Sequence, residues 1–469
     1  MTKNYKFIIA TIYTIVLFLD RLDLTIANIT LPTIARYFDV SIVVTDGISL
    51  SFLLALAISI PLSAWLGDHF GLKRIYILAM LLFGLGSTLC SVSTSLNQLI
   101  FLRFLQGLGG GLLIPVGMTM IYRAYDKSEY ASITSFTFLP SLVAPAIAPF
   151  LGGLILDSFG WRFVFLFSGP ICLFLAILSA YLLEEEPYKR QSSFDWFGFV
   201  LGEMILMDIF YGLFLLGKNG FSATAIITGL ICPPLIWLFI KIEQQTTHPF
   251  IDLSFFKNKT FYRANLIQIC FQICHFGAIF IIGLFLQAGI GFSATLAGLM
   301  MGMQAVGAMM TSRFSVKLFN QYGGKLPIII GFLGIAVTTP LILLIDKSSM
   351  LYYGILLFLV RGFFSGLCGT PIQTLSVIGF EKQDIGSINS IFNICRQAAI
   401  SLGVAVSSIL VAIGLHFTKL TGTDNIQLNE AFSVFSYGFF IIPIIALAGI
   451  FITSQLGGNP PLMNKGVKC

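Results

Sequence analysis

Apolar stretches recur along the whole of this 469-residue chain, each long enough to cross a hydrocarbon layer of roughly 30 Å as a helix of about 20 residues. Fourteen can be read, near 7–34, 46–66, 75–94, 97–122, 131–157, 161–183, 196–217, 223–242, 264–288, 293–314, 326–345, 350–378, 387–413 and 431–453. No water-soluble globule can hide so much of them: hydrophobic residues make up 57%, charged residues 10%, and mean hydropathy is +0.92. In lipid each backbone N–H and C=O must be satisfied within its own segment, which favours helices. The expected fold class is therefore an all-α integral membrane protein with fourteen transmembrane helices.

Charge gives the expected orientation. With both termini in the cytoplasm, about 18 of the 27 Lys and Arg fall on that side and about five outside. The basic start, Met1 to Lys6, leads into an apolar run that reaches Pro32 without a small-x-small cleavage site, so an uncleaved first helix is expected. The cysteines sit mostly in apolar runs and read as small buried hydrophobes, with no disulfide implied. No phosphate-cradling glycine loop ending in Lys-Ser or Lys-Thr is present, which argues against direct ATP drive. The reading is of a non-enzyme with no cofactor, no metal and no nucleic-acid partner, lying in a cytoplasmic (inner) membrane, with a bacterial source favoured by the short loops.

Ionisable groups inside apolar runs are the candidates for chemistry, because each costs roughly 2.5–3.5 kcal/mol there and needs a partner. The first run holds Asp20, Arg21 and Asp23, with Asn28 beyond them. Asp20 and Asp23 share a helix face, and Arg21 is the nearest counter-ion for either. Burial disfavours the charged form of a lone carboxylate, which suits a proton carrier; pairing with Arg21 would spoil that use. Arg103 in the fourth run needs a carboxylate, a carbonyl or water to meet it. Arg361, Asn393 and Arg396 pose the same choice later, between structural and substrate-orienting roles, and Asp208 is a candidate polar group in the seventh run beside Glu203. Cys270, Cys274 and His275 lack further ligands and read as helix packing. Gly107 to Gly111, Gly298 to Gly302 and Gly362 to Gly366 are small-xxx-small pairs, also read as packing.

An internal repeat is visible. Arg103, the glycines 107 to 111 and Pro115 recur as Arg361, Gly362, Gly366, Gly369 and Pro371. The expected organisation is an N-terminal six-helix half (1–186), a linker with two extra helices (187–258), and a C-terminal six-helix half with a short cytoplasmic tail (259–469).

With those residues on the page a resemblance emerges. The loop Ala64-Trp-Leu-Gly-Asp68-His-Phe-Gly71-Leu-Lys73-Arg74 resembles the loop between helices 2 and 3 of the major facilitator superfamily. Leu22-Asp-Leu-Thr-Ile-Ala-Asn-Ile-Thr-Leu-Pro32, Arg103-Phe-Leu-Gln-Gly-Leu-Gly-Gly and His248-Pro-Phe-Ile-Asp-Leu-Ser-Phe-Phe-Lys-Asn258 narrow it to the fourteen-span drug:proton antiporters. The resemblance implies that Asp68, Gly71, Lys73 and Arg74 form a cytoplasmic latch, that Arg103 assists proton movement, and that Asp23 holds the motif's acidic position. Ala144, Ala148, Pro149, Gly152 and Gly153 resemble the superfamily's antiporter helix, with alanine replacing two glycines. His69 and Leu72 replace usual basic residues of the latch, and Asn320 stands where its second-half copy would carry a carboxylate.

The expected function is a proton-coupled exporter of small lipophilic compounds, cations among them, acting by alternating access between two halves that rock around a midplane cavity. Its partners would be substrate, protons and the bilayer, with a monomer as the working unit and any envelope partner unknown. A narrow exporter of a metabolite or siderophore and an uptake symporter remain open as alternatives. A non-transporting membrane sensor has no use for midplane charges or a repeated half.

Overall fold

The computed structural model describes residues 3–40, 42–185, 194–219, 223–247, 249–292, 294–345, 351–418 and 428–457. Its helices, in chain order, are α1 (Lys3–Phe38), α2 (Ile42–Phe70), α3 (Leu72–Ser91), α4 (Leu96–Ala124), α5 (Tyr130–Phe159), α6 (Trp161–Leu182), α7 (Trp196–Asn219), α8 (Ala223–Gln245), α9 (Lys259–Gly289), α10 (Ala294–Tyr322), α11 (Lys325–Leu341), α12 (Leu351–Val377), α13 (Ile385–Thr418) and α14 (Leu428–Ser454). Among the described residues there is no strand, and ten helices are long and apolar enough to cross a membrane. The chain is thus a multi-pass, all-helical membrane protein.

Most helices outrun the apolar stretches that announce them. α2 continues through Asp68 and His69, and α10 continues two turns past its apolar run to Tyr322. Polar ends remain helical because hydrogen bonds along the axis do not require apolar side chains. Side chains and turns mark the true ends. Ser95 accepts from Gln98 N at the start of α4. Gly71 (φ 96°) and Gly160 (φ 83°) take left-handed conformations to make the abrupt turns between α2 and α3 and between α5 and α6.

Two compact units emerge. One comprises residues 1–194 together with 380–394; the other comprises 195–379 and 395–469. In the first, α2 packs on α4, α3 on α4 and α6, and α1 on α5. Gly107 and Gly111 of α4 leave no room for a Cβ against the backbone of Phe52 and Leu56 in α2, so the two helices touch main chain to main chain. In the second, α10 packs on α12, and α11 on α12 and α14, repeating the pairings of α2, α3, α4 and α6. Gly362 and Gly366 press on Gln304 O and Ala308 O in the same way. Gly298 and Gly302 depart from the expectation: among the described residues nothing lies within 4 Å of a Cβ placed on either, so no close helix approach requires these glycines.

α9 is not uniform. Ile273–Gly277 and Phe285–Gly289 are π turns, each widening the helix by one residue. α7 and α8 pack chiefly on each other and expose Trp196, Phe197, Tyr211, Leu230 and Trp237, as a hairpin bathed in lipid would.

Candidate functional site

The charges of the first run resolve into two separate pairs. Arg21 Nε lies 3.7 Å from Asp20 Oδ2, while Asp23 Oδ2 is 2.6 Å from Arg103 Nη1. The nearest-neighbour choice between Asp20 and Asp23 for Arg21 therefore falls on Asp20. Asp23 is not a lone carboxylate, because Arg103, 80 positions away, supplies its counter-ion.

Asp23 and Arg103 are both fully enclosed, at 3% and 0% exposure, and their surroundings explain how lipid-depth charge is tolerated. Ser168 of α6 donates to Asp23 Oδ1 at 3.0 Å and is 2.9 Å from Ser87 of α3. Arg103 Nη1 also donates to Gln106 Oε1 at 2.7 Å, one turn along α4. The guanidinium stands over the Phe52 ring at 4.5 Å and the Phe165 ring at 5.5 Å, whose faces attract a cation most when water is excluded. Arg103 Nε and Nη2 and Gln106 Nε2 are buried without a hydrogen-bond partner, so the guanidinium's donors are only partly satisfied.

Small residues of α5 bring α1 into place. Ala144 and Ala148 are buried against Leu22 and Ile26, and a Cβ on Gly152 would stand 3.0 Å from Ile26. The side chains of Asn28 and Pro149, and Gly153, lie outside the described residues.

At the α2 end of the same unit, Asp68 Oδ1 accepts from Arg123 Nη2 at 2.8 Å. Arg123 also donates to the carbonyls of Lys382 (3.0 Å) and Gln383 (3.3 Å), and Lys382 Nζ returns a bond to Arg123 O at 2.8 Å. Residues 380–394 join this unit through these bonds and through Asn389 to Thr119 and Ser390 to Ile60 O. Arg74 pairs with Glu185 at 3.3 Å; Lys73 is half-buried at the start of α3. In the second unit Asn320 Oδ1 is buried without a hydrogen-bond partner, so no matching carboxylate–arginine latch forms there among the described residues.

Arg361 is fully buried in the second unit and meets no carboxylate among the described residues. It donates to Gln304 Oε1 (2.5 Å), Thr339 Oγ1 (3.3 Å) and Cys274 O (3.2 Å). His275, in the first π turn, is 3.0 Å from Ser365 Oγ and stacks on Phe271. Asn393 turns its amide onto Asn389 O within α13, and Arg396 is half-buried one turn later. Asp208 is half-buried on α7, in the same unit as Arg361 but distant from it in sequence, with Oδ2 lacking a hydrogen-bond partner. Among the described residues no group of three His, Cys, Asp or Glu could hold a metal.

Nothing in the sequence singled out Ser168, Phe52, Gln304, Thr339 or Gln106, and Arg123 counted there only among the cytoplasmic positive charges. A spacing of three from Arg103 could have pointed to Gln106; the others depend on helix packing.

The model for the Major Facilitator Superfamily matches residues 13–404. The chain is similar to a protein named "Putative multidrug resistance protein MdtD" from Enterobacter sp. (strain 638), 28% identical over 436 residues that cover 91% of this chain and 90% of that one. The protein of the same name from Salmonella typhimurium is 27% identical with the same coverage. Among solved structures, the human organic anion transporter MFSD10 (TETRAN) superposes with a TM-score of 0.66 at 12% identity, covering 97% of this chain and all of that one, a likeness of fold. With a family match over most of its length and helices paired in a repeated pattern, the chain belongs to the major facilitator superfamily, whose members are multi-pass transporters of small molecules rather than enzymes.

Proposed function

We propose that this transporter is a proton-coupled exporter with fourteen membrane spans and both termini in the cytoplasm of a bacterial cell, working by alternating access on small lipophilic compounds, cations among them. The observation that carries the reading is the buried Asp23–Arg103 pair, with Ser168 and Gln106 ready to hold each partner separately. A proton arriving at Asp23 removes its charge and releases Arg103 to Gln106, Phe52 and Phe165. Loss of the proton restores the ion pair. Each event exchanges about one strong Coulomb interaction in a low-dielectric setting, enough to bias a helix-packing equilibrium. Asp23 is the proton carrier on this reading and Arg103 its switchable partner; Asp20 with Arg21 is a standing pair beside them.

Supporting the export direction and substrate class are the similarity to proteins named for multidrug resistance and the small-residue face that α5 turns to α1. Asp68, Arg123 and residues 382–383 act as the cytoplasmic latch, supported by four hydrogen bonds, one of which is also an ion pair. Respiring everted membrane vesicles test direction. An exporter collapses their pH gradient on addition of a lipophilic cation and concentrates it in the lumen; an uptake symporter accumulates nothing.

A further inference from the structure

The α7–α8 hairpin carries an acidic arrangement that the transport reading leaves unused. Asp195, just before α7, and Glu243, in the last turn of α8, face each other across Gly198. Asp195 Oδ1 accepts from Gly198 N at 2.8 Å. Glu243 Oε2 accepts from Ile251 N at 3.1 Å, drawing the chain beyond α8 back onto the hairpin. The remaining two oxygens, Asp195 Oδ2 and Glu243 Oε1, are buried and have no hydrogen-bond partner. Both point at the space that a Cβ on Gly198 would fill, so they are no farther apart than two short contacts laid end to end. Glu243 is only 3% exposed.

Among the described residues, the surroundings offer no positive charge: neither carboxyl has a Lys, Arg or His within ion-pair distance, and Lys241, the basic group nearest in sequence on α8, stands over the Trp237 ring. Asp252, on the segment folded back, adds negative field while accepting from Ser254 N. Two bare carboxylates facing each other without water or a cation repel. One proton between them satisfies both orphaned oxygens as an O–H···O⁻ hydrogen bond, of the short, charge-assisted kind.

We propose that Asp195 and Glu243 form a proton-binding site, in which the two side chains share one proton and so clamp residues 249–252 onto the α7–α8 hairpin. Gly198 is the residue that makes room for it. Loss of the proton leaves two facing anions and opens the clamp, giving the segment that leads into α9 a sensitivity to pH independent of Asp23. The inference stands or falls separately from the export reading.

Hydrogen exchange on the intact purified protein tests it, read at the peptide holding Ile251 and corrected for intrinsic exchange rates. In the wild type, protection falls with rising pH by about tenfold per pH unit across the interval in which opening releases the proton. Glu243→Gln carries a permanent N–H donor toward Asp195 and keeps protection at a level that no longer changes with pH. Asp195→Asn, the mirror variant, behaves the same way. Infrared difference spectra show a protonated-carboxyl C=O band in the wild type that both variants lack. A wild-type profile flat with pH, or loss of protection in both amide variants at every pH, overturns the proposal. So does recovery of protection at alkaline pH on adding Mg²⁺ or Ca²⁺, which would make the occupant a divalent cation.

Discussion

Asp23→Asn removes one charge of the buried pair and leaves Arg103 facing a neutral amide. Removing one member of such a pair costs about 3–5 kcal/mol, because the survivor stays buried without its counter-charge. Here the survivor keeps Gln106 Oε1 at 2.7 Å and the faces of Phe52 and Phe165, so the lower end, about 3 kcal/mol, is expected. Arg103→Gln differs in kind. It leaves Asp23 with the Ser168 hydroxyl and free to become neutral by taking a proton, an escape closed to a guanidinium. Its cost should therefore shrink as pH falls. The double variant Asp23→Asn/Arg103→Gln should lie well above the sum of the singles, with a coupling of about 3 kcal/mol. Equilibrium unfolding of the purified protein in mixed micelles measures all four corners of the cycle. Additive single effects, or an Arg103→Gln cost that ignores pH, would refute the account of this pair.

Arg123→Lys keeps a charge but cannot reach Asp68 and two carbonyls at once, so the 380–394 segment should exchange backbone hydrogens faster, consistent with losing about 1.5–3 kcal/mol of charged hydrogen bonding. Gly71→Ala should destabilise the α2–α3 turn by about 1–2 kcal/mol, since φ is 96° and the new Cβ would strike Glu185, and a thermal unfolding midpoint reads it. The hydrogen bond from Lys6 holds Asp126 below the usual carboxylate range, so this contribution is complete above that range and fades as pH falls through the lowered value. Lys6→Ala should flatten that acid-side dependence, with only a small change at neutral pH because Asp126 is well exposed.

How much of this could be read from the chain depends on distance along it. Membrane class follows from apolar runs alone, and the repeat follows from Arg103 and Arg361 with their glycines. Helix ends did not, since Ser-Arg-Phe-Ser-Val-Lys at the tail of α10 reads polar yet stays helical. Asp23 was singled out by the cost of burying charge, but its partner comes from α4 and its second hydrogen bond from α6, pairings that no local pattern encodes. Arg21 was an attractive counter-ion because it is adjacent, and adjacency on a helix places it about 100° away from Asp20 and about 200° away from Asp23. Arg123 is one more positive charge at a helix end in the sequence; Asp68, 55 positions earlier, and residues 382–383, some 260 positions later, give it a task. The π turns of α9 leave no trace in hydropathy, and Gly298 and Gly302 show that small-residue spacing identifies a contact only when another helix is there.

The central claim is that Asp23 carries the coupling proton. Purified protein in liposomes with an imposed pH gradient, with lipophilic-cation flux and internal pH recorded together, tests it directly. The wild type should move the cation uphill with counterflow of protons. Asp23→Asn should still bind the cation and equilibrate it, yet show neither gradient-driven accumulation nor proton counterflow. Uphill transport by that variant at the wild-type rate would contradict the account.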